Sequence, residues 1–277
     1  MRLEESGSFD GTREIPVTLS AELDGVAGEN IALEKGRLPD GVYIPKPERG
    51  EVAVIENDDL LEVRALPGGE SPVRVALGGT TTAGNTATLF SLSRDGSKVT
   101  AVGFDDFEVL TELEVGASED ALIEASGEDG FWLAGPEGVA LYEVNPPGLK
   151  AALSVNAGAL AVDAADPGRA CVAELSSGRV MLVEPGGEGE LRTVNETDLG
   201  APAEYLAVKE GNLYAVTSDE LVVLDAETLD TVETVELGPI LEEESLGEAV
   251  ASGLAVGEHN VFVTLEGEPY VLLIERP

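Results

Sequence analysis

AEYLAVKEGNLYAVTSDELVVLDAETLDTVETVELG, the stretch from Ala203 to Gly238, divides itself into four short strands. Leu206 and Val208 mark an innermost strand, and Glu210-Gly211 turns the chain into Leu213-Tyr214-Ala215-Val216. Ser218-Asp219 turns it again into Leu221-Val222-Val223-Leu224, and the segment from Asp225 to Asp230 leads to a last strand from Val232 to Leu237. Gly, Asp, Asn and Ser between runs of β-branched and aromatic residues are the local signals of tight turns between strands. The last strand alternates apolar with polar residues, as one wet face requires, whereas the inner three are almost continuously apolar. That contrast predicts neighbours on both faces of the inner strands and a burial that falls from the hub outwards.

The same order recurs along the chain. With Ile31, Val75, Leu122, Leu160, Leu206 and Leu254 taken as equivalent, the intervals are 44, 47, 38, 46 and 48 residues. Such a period fits a four-stranded propeller blade, a unit that buries its faces only against its neighbours. The copies run near 29–67, 72–116, 119–155, 158–199, 203–238 and 251–277. A Gly/Thr-rich insert, Gly78 to Asn85, lengthens the first turn of the second. The sixth has Leu254-Ala255-Val256, Val261-Phe262-Val263 and Tyr270 to Ile274, one strand short. A surplus strand lies near the other end, where Arg13 to Leu19 alternates Ile15, Val17 and Leu19. The expected fold is all-β: a six-bladed β-propeller with four antiparallel strands per blade, in a single domain over residues 1–277. A strand from residues 1–20 is expected to complete the last blade and remove its exposed edge.

Charge is the second large fact. Fifty-four acidic against 16 basic side chains give a formal net charge of −38, which opposes binding to nucleic acid and to anionic membranes. At low salt these charges repel one another; molar salt shortens the screening length to about 3 Å and relieves them. The acidity is read as adaptation to a salt-rich cytoplasm, and the lack of glutamine with an excess of arginine over lysine hints at heat. With 43% apolar residues there is ample core material, so the charge does not imply disorder. The longest uncharged stretch, Val75 to Ser93, is broken by Gly and Thr and is no membrane span. Met1 to Asp10 carries Glu4 and Glu5 where a signal peptide needs apolar residues, and a cytoplasmic monomer is expected.

Several chemistries are poorly served. Cys171 is the single cysteine, which precludes an internal disulfide and a Cys-ligated metal cluster, and its strand context predicts a buried, inert thiol. His259 is the single histidine, set in the turn Gly257-Glu258-His259-Asn260, so HExxH-type zinc sites are impossible. No G-x-S-x-G elbow accompanies it. The glycine runs Pro67-Gly68-Gly69, Gly78-Gly79 and Gly186-Gly187-Glu188-Gly189 lack a following helix or a Gly-Lys-Ser/Thr sequence and read as turns. Aromatic residues make up 4% of the chain, scattered over the strands, which leaves no stacking platform for bases.

One constellation goes further. Two residues before each equivalent position stand Glu29, Val73, Asp120, Gly158, Glu204 and Ser252, so carboxylates alternate with uncharged residues around the ring. Glu29, Asp120 and Glu204 would meet near the axis, where three hard oxygen donors suit Ca²⁺ or Mg²⁺; the alternative is a wet, salt-screened channel rim with no cofactor. A second candidate is the long connection Gly238 to Val250, in which Pro239-Ile240-Leu241 precedes Glu242-Glu243-Glu244. Three apolar residues beside a charge run suit docking of a protein partner, or else a packed helix from Glu242 to Ala251 covers the rim.

The fifth copy, with Leu213-Tyr214-Ala215-Val216, Val222-Val223-Leu224-Asp225 and Thr231-Val232-Glu233-Thr234-Val235, resembles the YVTN-type β-propeller repeat. Members of that family often have seven blades, so six is a departure. WD40 and kelch signatures are missing: there is one Trp and neither a Gly-His nor a Trp-Asp pair. Six-bladed lactonase-like hydrolases are similar in blade number and in placing metal ligands at inner-strand starts, for which Glu29, Asp120 and Glu204 are the nearest analogues. Two functions follow as expectations. One is a non-catalytic scaffold that docks a protein partner; the other is a metal-dependent hydrolase of a small lactone or ester, the metal polarising the carbonyl and activating water.

Overall fold

A computed structural model describes residues 32–34, 41–56, 62–79, 87–104, 106–127, 129–243, 246, 249–268 and 271–276. The first unit is the sheet β1 (Ala32–Glu34), β2 (Gly41–Lys46), β3 (Glu51–Glu56) and β4 (Glu62–Pro67), hydrogen-bonded in that order. The second repeats it with β5 (Pro72–Gly78), β6 (Thr88–Ser93), β7 (Lys98–Gly103) and β8 (Val109–Glu114). The third is β9 (Leu122–Ala125), β10 (Gly130–Gly135), β11 (Gly138–Val144) and β12 (Pro147–Leu153). The fourth is β13 (Ala157–Val162), β14 (Ala170–Glu174), β15 (Arg179–Gly187) and β16 (Glu190–Asp198). The quoted stretch forms the fifth: β17 (Tyr205–Lys209), β18 (Asn212–Val216), β19 (Glu220–Asp225) and β20 (Thr231–Glu236). A helix α1 (Leu237–Glu243) precedes the last unit, β21 (Ala251–Val256), β22 (Asn260–Leu265) and β23 (Val271–Glu275). Arg13 to Leu19, the strand expected to complete that unit, lies outside the described residues.

Within every unit neighbouring strands are antiparallel, and the turns are those the sequence signals. Glu210 and Gly211 both take positive φ, 52° and 79°, so β17 and β18 pair in register from Tyr205↔Val216 to Lys209↔Asn212. Gly186 and Gly187, expected in a turn, instead extend β15, and the reversal falls on Glu188-Gly189. The lengthened hairpin reaches the preceding unit: Ala152 of β12 pairs in parallel with Glu190 of β16, and its N–H donates to the Gly189 carbonyl at 3.1 Å. The third and fourth units thereby share an eight-stranded sheet.

The core is divided into clusters, each shared by two consecutive units. Phe131 and Leu133 of β10 pack with Phe90, Leu92 and Val99 of the second unit, while Trp132 and Ala134 pack with Leu160, Val172 and Met181 of the fourth. In β18, Leu213 and Ala215 face the fourth unit, and Tyr214 and Val216 face the sixth. Alternate side chains thus enter opposite cores, which explains why these strands read as unbroken apolar runs. Units approach closely: a Cβ on Gly78 would lie 1.9 Å from the Gly127 carbonyl oxygen of the third unit.

In the fifth unit burial does not fall steadily from the hub. There β18 and β19 are buried and β20 is exposed, but the innermost strand β17 is only half-buried along its whole length. The expected gradient is corrected for this unit, whereas β5 and β13, at the same edge of their sheets, are mostly buried.

Candidate functional site

The expected metal trio is only partly within view. Asp120 is exposed in the turn ahead of β9, where its backbone carbonyl accepts from Arg74 Nη1 at 2.8 Å. Glu204 is exposed ahead of β17, its N–H donating to the Val216 carbonyl at 2.8 Å. Val73, Gly158 and Ser252 sit at the matching places in β5, β13 and β21, whereas Glu29 lies outside the described residues. Among the described residues, no group of three or more His, Cys, Asp or Glu side chains stands close enough to hold a metal ion.

The apolar triplet before the acidic run belongs to α1. The helix begins at Leu237, not at Glu242, and Pro239 falls in its first turn, where a missing N–H leaves nothing unsatisfied. Leu237 and Leu241 are buried against Val261 and Val263 of β22 and Val223 of β19, with Ile240 packed half-buried beside them. Pro239 and Glu242 face solvent. Glu243 is the helix's last residue and Glu244 lies outside the described residues. Local packing thus accounts for Leu241 and much of Ile240, leaving Pro239 and Glu242 for contact.

Cys171 is buried on β14, and burial, aided by the nearby Asp163 charge, pushes its thiol up to about 12, so it stays protonated. His259 is exposed in the β21–β22 turn, where its carbonyl accepts from Arg276 N–H at 2.9 Å. Glu124 escaped the sequence reading. It stands on β9 opposite Trp132, at the place where β5, β13, β17 and β21 carry Leu77, Val162, Val208 and Val256. Solvent reaches its side chain, but the protein crowded around it displaces enough water to push the carboxyl up to about 7. The break from an aliphatic to a charged residue at this repeat position was the available signal.

A cleft lies between the fourth and fifth units. It has a volume of about 320 Å³, opens to solvent, and is walled by the loop after β13, bearing Asp163, Asp166 and Arg169, and by the turn after β19, bearing Asp225 and Glu227. Its floor is Cys171, Leu182 and Val208. Backbone N–H groups of Thr228 and Glu227 donate to Asp225 and lower its carboxyl. Arg169 is tied to Glu184 at 2.8 Å and to Asp166 at 3.5 Å. Arg192, then Arg169, hold the Glu184 carboxyl below the usual range.

No protein-family model matches the chain, and no curated sequence matches it. Solved structures are similar in shape. Virginiamycin B lyase from Staphylococcus aureus aligns over 89% of this chain and 80% of its own, with a TM-score of 0.62 and 9% identity. The Pan2 WD40 domain of Neurospora crassa aligns over 88% of this chain and 73% of its own, with a TM-score of 0.63 and 8% identity. The β-propeller domain of Cps50 (Swd1) from Myceliophteria thermophila aligns over 92% of this chain and 87% of its own, with a TM-score of 0.61 and 14% identity. At such identities the likeness shows the fold: the chain is a β-propeller repeat protein. Among the described residues no helix is long and apolar enough to cross a membrane.

Proposed function

We propose that the chain is a non-catalytic propeller of six blades that docks a protein partner in a salt-rich cytoplasm, with Arg13 to Leu19 completing the last blade. Helix α1 carries this reading. It lies in the longest connection between successive units, is anchored by Leu237 and Leu241, and presents Pro239 and Glu242 on a rigid base. A feature held so firmly in the core yet projecting polar and apolar groups outward is suited to recognition at little ordering cost. The shape shared with WD40 and other propeller domains supports the scaffold reading, since it supplies a rigid disc with loops at its rim.

The test uses the full chain in molar salt, with a photo-crosslinking residue at Glu242 and, in a separate protein, at Glu137 on the third unit. The expected result is one polypeptide captured from the native lysate through position 242 and not through position 137. Equal capture at both positions, or none, contradicts the proposal. Metal-dependent hydrolysis of a simple lactone that disappears in Asp120→Ala and Glu204→Ala would replace it with the hydrolase.

A further inference from the structure

We propose that the cleft between the fourth and fifth units binds a small neutral aromatic molecule, of the size of a phenol or an indole, in the place where the other units hold a ring of their own. One position repeats through the molecule. On the second strand of five units stand Tyr43, Phe90, Trp132, Tyr214 and Phe262, and on the second strand of the fourth stands Cys171. The register makes them equivalent, since Ala76 of an innermost strand pairs with Phe90, Ala207 with Tyr214, Ala255 with Phe262 and, in the fourth unit, Ala161 with Cys171. Tyr43, Phe90, Trp132 and Tyr214 are buried against the unit that follows each, and Cys171 enters the corresponding core with Leu213 of the fifth. One ring is missing there.

The cleft opens at that place. Elsewhere the resident ring reaches the first turn of the next unit: Trp132 Nε1 donates to the Pro167 carbonyl in the loop after β13 at 3.1 Å. Likewise Tyr214 Oη accepts at 3.0 Å from Arg276 Nε, whose guanidinium also donates to the Gly257 and Glu258 carbonyls of the β21–β22 turn. The matching turn of the fifth unit is Glu210-Gly211, and Gly211 lines the cleft together with Cys171, Leu182 and Val208. A thiol is too short to span from β14 to that turn, and the volume of about 320 Å³ beside it is ample, because an apolar cavity of roughly 150 Å³ already admits benzene. Sulfur meets an aromatic ring favourably, and Leu182 and Val208 add apolar contacts. Asp163, Asp166, Asp225 and Glu227 at the mouth repel an anionic ring. Both walls are held, Asp163 Oδ1 accepting from Ala165 N–H and the Gly211 carbonyl from Ala226 N–H, each at 2.8 Å, so neither must order when a ligand enters.

The experiment titrates the full chain in molar salt with phenol and, separately, with cyclohexanol and benzoate, following the methyl NMR signals of Leu182 and Val208. Phenol should give saturable upfield shifts of both, with an affinity at least about tenfold above that of cyclohexanol, a difference of about 1.4 kcal/mol, and benzoate should give none. Cys171→Phe, which supplies the missing ring from the chain itself, should abolish the phenol shifts and raise the melting temperature. Ala226→Phe, which covers the mouth from a turn, should abolish them at an unchanged melting temperature. Non-saturable shifts, equal affinity for phenol and cyclohexanol, or phenol binding that survives both variants would overturn the proposal. So would a Cys171→Phe protein that melts lower or does not fold, since the two units would then already be closed over the gap.

Discussion

The third and fourth units are tied at their outer edges by a backbone hydrogen bond from a hairpin that ion pairs lace internally, the fifth and sixth by a buried apolar helix. Between the first pair, Ala152 N–H reaches the Gly189 carbonyl, and the hairpin that makes this possible is laced by Arg192–Glu184 and Arg179–Glu196 ion pairs. Between the second pair, Leu237 and Leu241 sink into a cluster shared with β19 and β22. One module thus admits two ways of joining its neighbours, and they answer oppositely to salt. Screening weakens exposed ion pairs, while salts excluded from the surface strengthen apolar burial. In a chain of net charge −38 the apolar tie is the one that needs no help from scarce cations.

Leu241→Ala should have the largest effect. Leu241 is 6% exposed, so truncation costs about 2–4 kcal/mol through lost transfer energy and the cavity left behind, read as a fall in denaturation midpoint at constant slope. A cost no greater than that of a surface substitution would mean that α1 is not part of the core. Next comes Ala152→Pro, which removes the donor to Gly189 while the β11–β12 ladder keeps its other bonds; about 1 kcal/mol should be lost. Should it cost as much as Leu241→Ala, the two ties would be equal and the contrast would fail.

Arg192→Ala should act less, and only in dilute salt. Its partner Glu184 is also held by Arg169, and Arg192 itself is well exposed, so a small drop in melting temperature near 0.1 M salt should vanish at molar salt. Glu124→Gln probes the hub instead. Because the folded protein raises this carboxyl to about 7, the folded state holds the proton more tightly than the unfolded chain between pH 4.5 and 7. Its contribution to stability therefore declines as pH rises through that window. The stability of Glu124→Gln relative to the parent should be higher at pH 8 than at pH 4.5, and a pH-independent difference would show the carboxyl to be fully solvated.

The two regions also differ in how far the sequence announced them. Turn residues placed β17 to β20 to within a residue or two, because Glu210-Gly211 and Ser218-Asp219 act locally and the runs between them have one reading. Helix α1 was misplaced because the helix was started at the charge run from Glu242, whereas Leu237 to Leu241 already form its first turn against the core. The β15–β16 extension was hidden for a related reason. Gly186-Gly187 has no side chains to show whether it turns or pairs, and the distant contact with Ala152 decides. β17 is half-buried where β5 and β13, at the same sheet edge, are mostly buried, a difference that their similar apolar runs do not encode. The cavity was equally invisible, since its walls come from loops of two units brought side by side.

A ring closed by Arg13 to Leu19 leaves no free edge on β23. Residue-resolved hydrogen exchange of the full chain in molar salt reads this directly at Val271 to Glu275. With the ring closed, amides on the side of β23 away from β22 exchange as slowly as those bonded to β22. Alternate fast exchange along Val271 to Glu275, with only the amides facing β22 protected, would contradict a closed propeller.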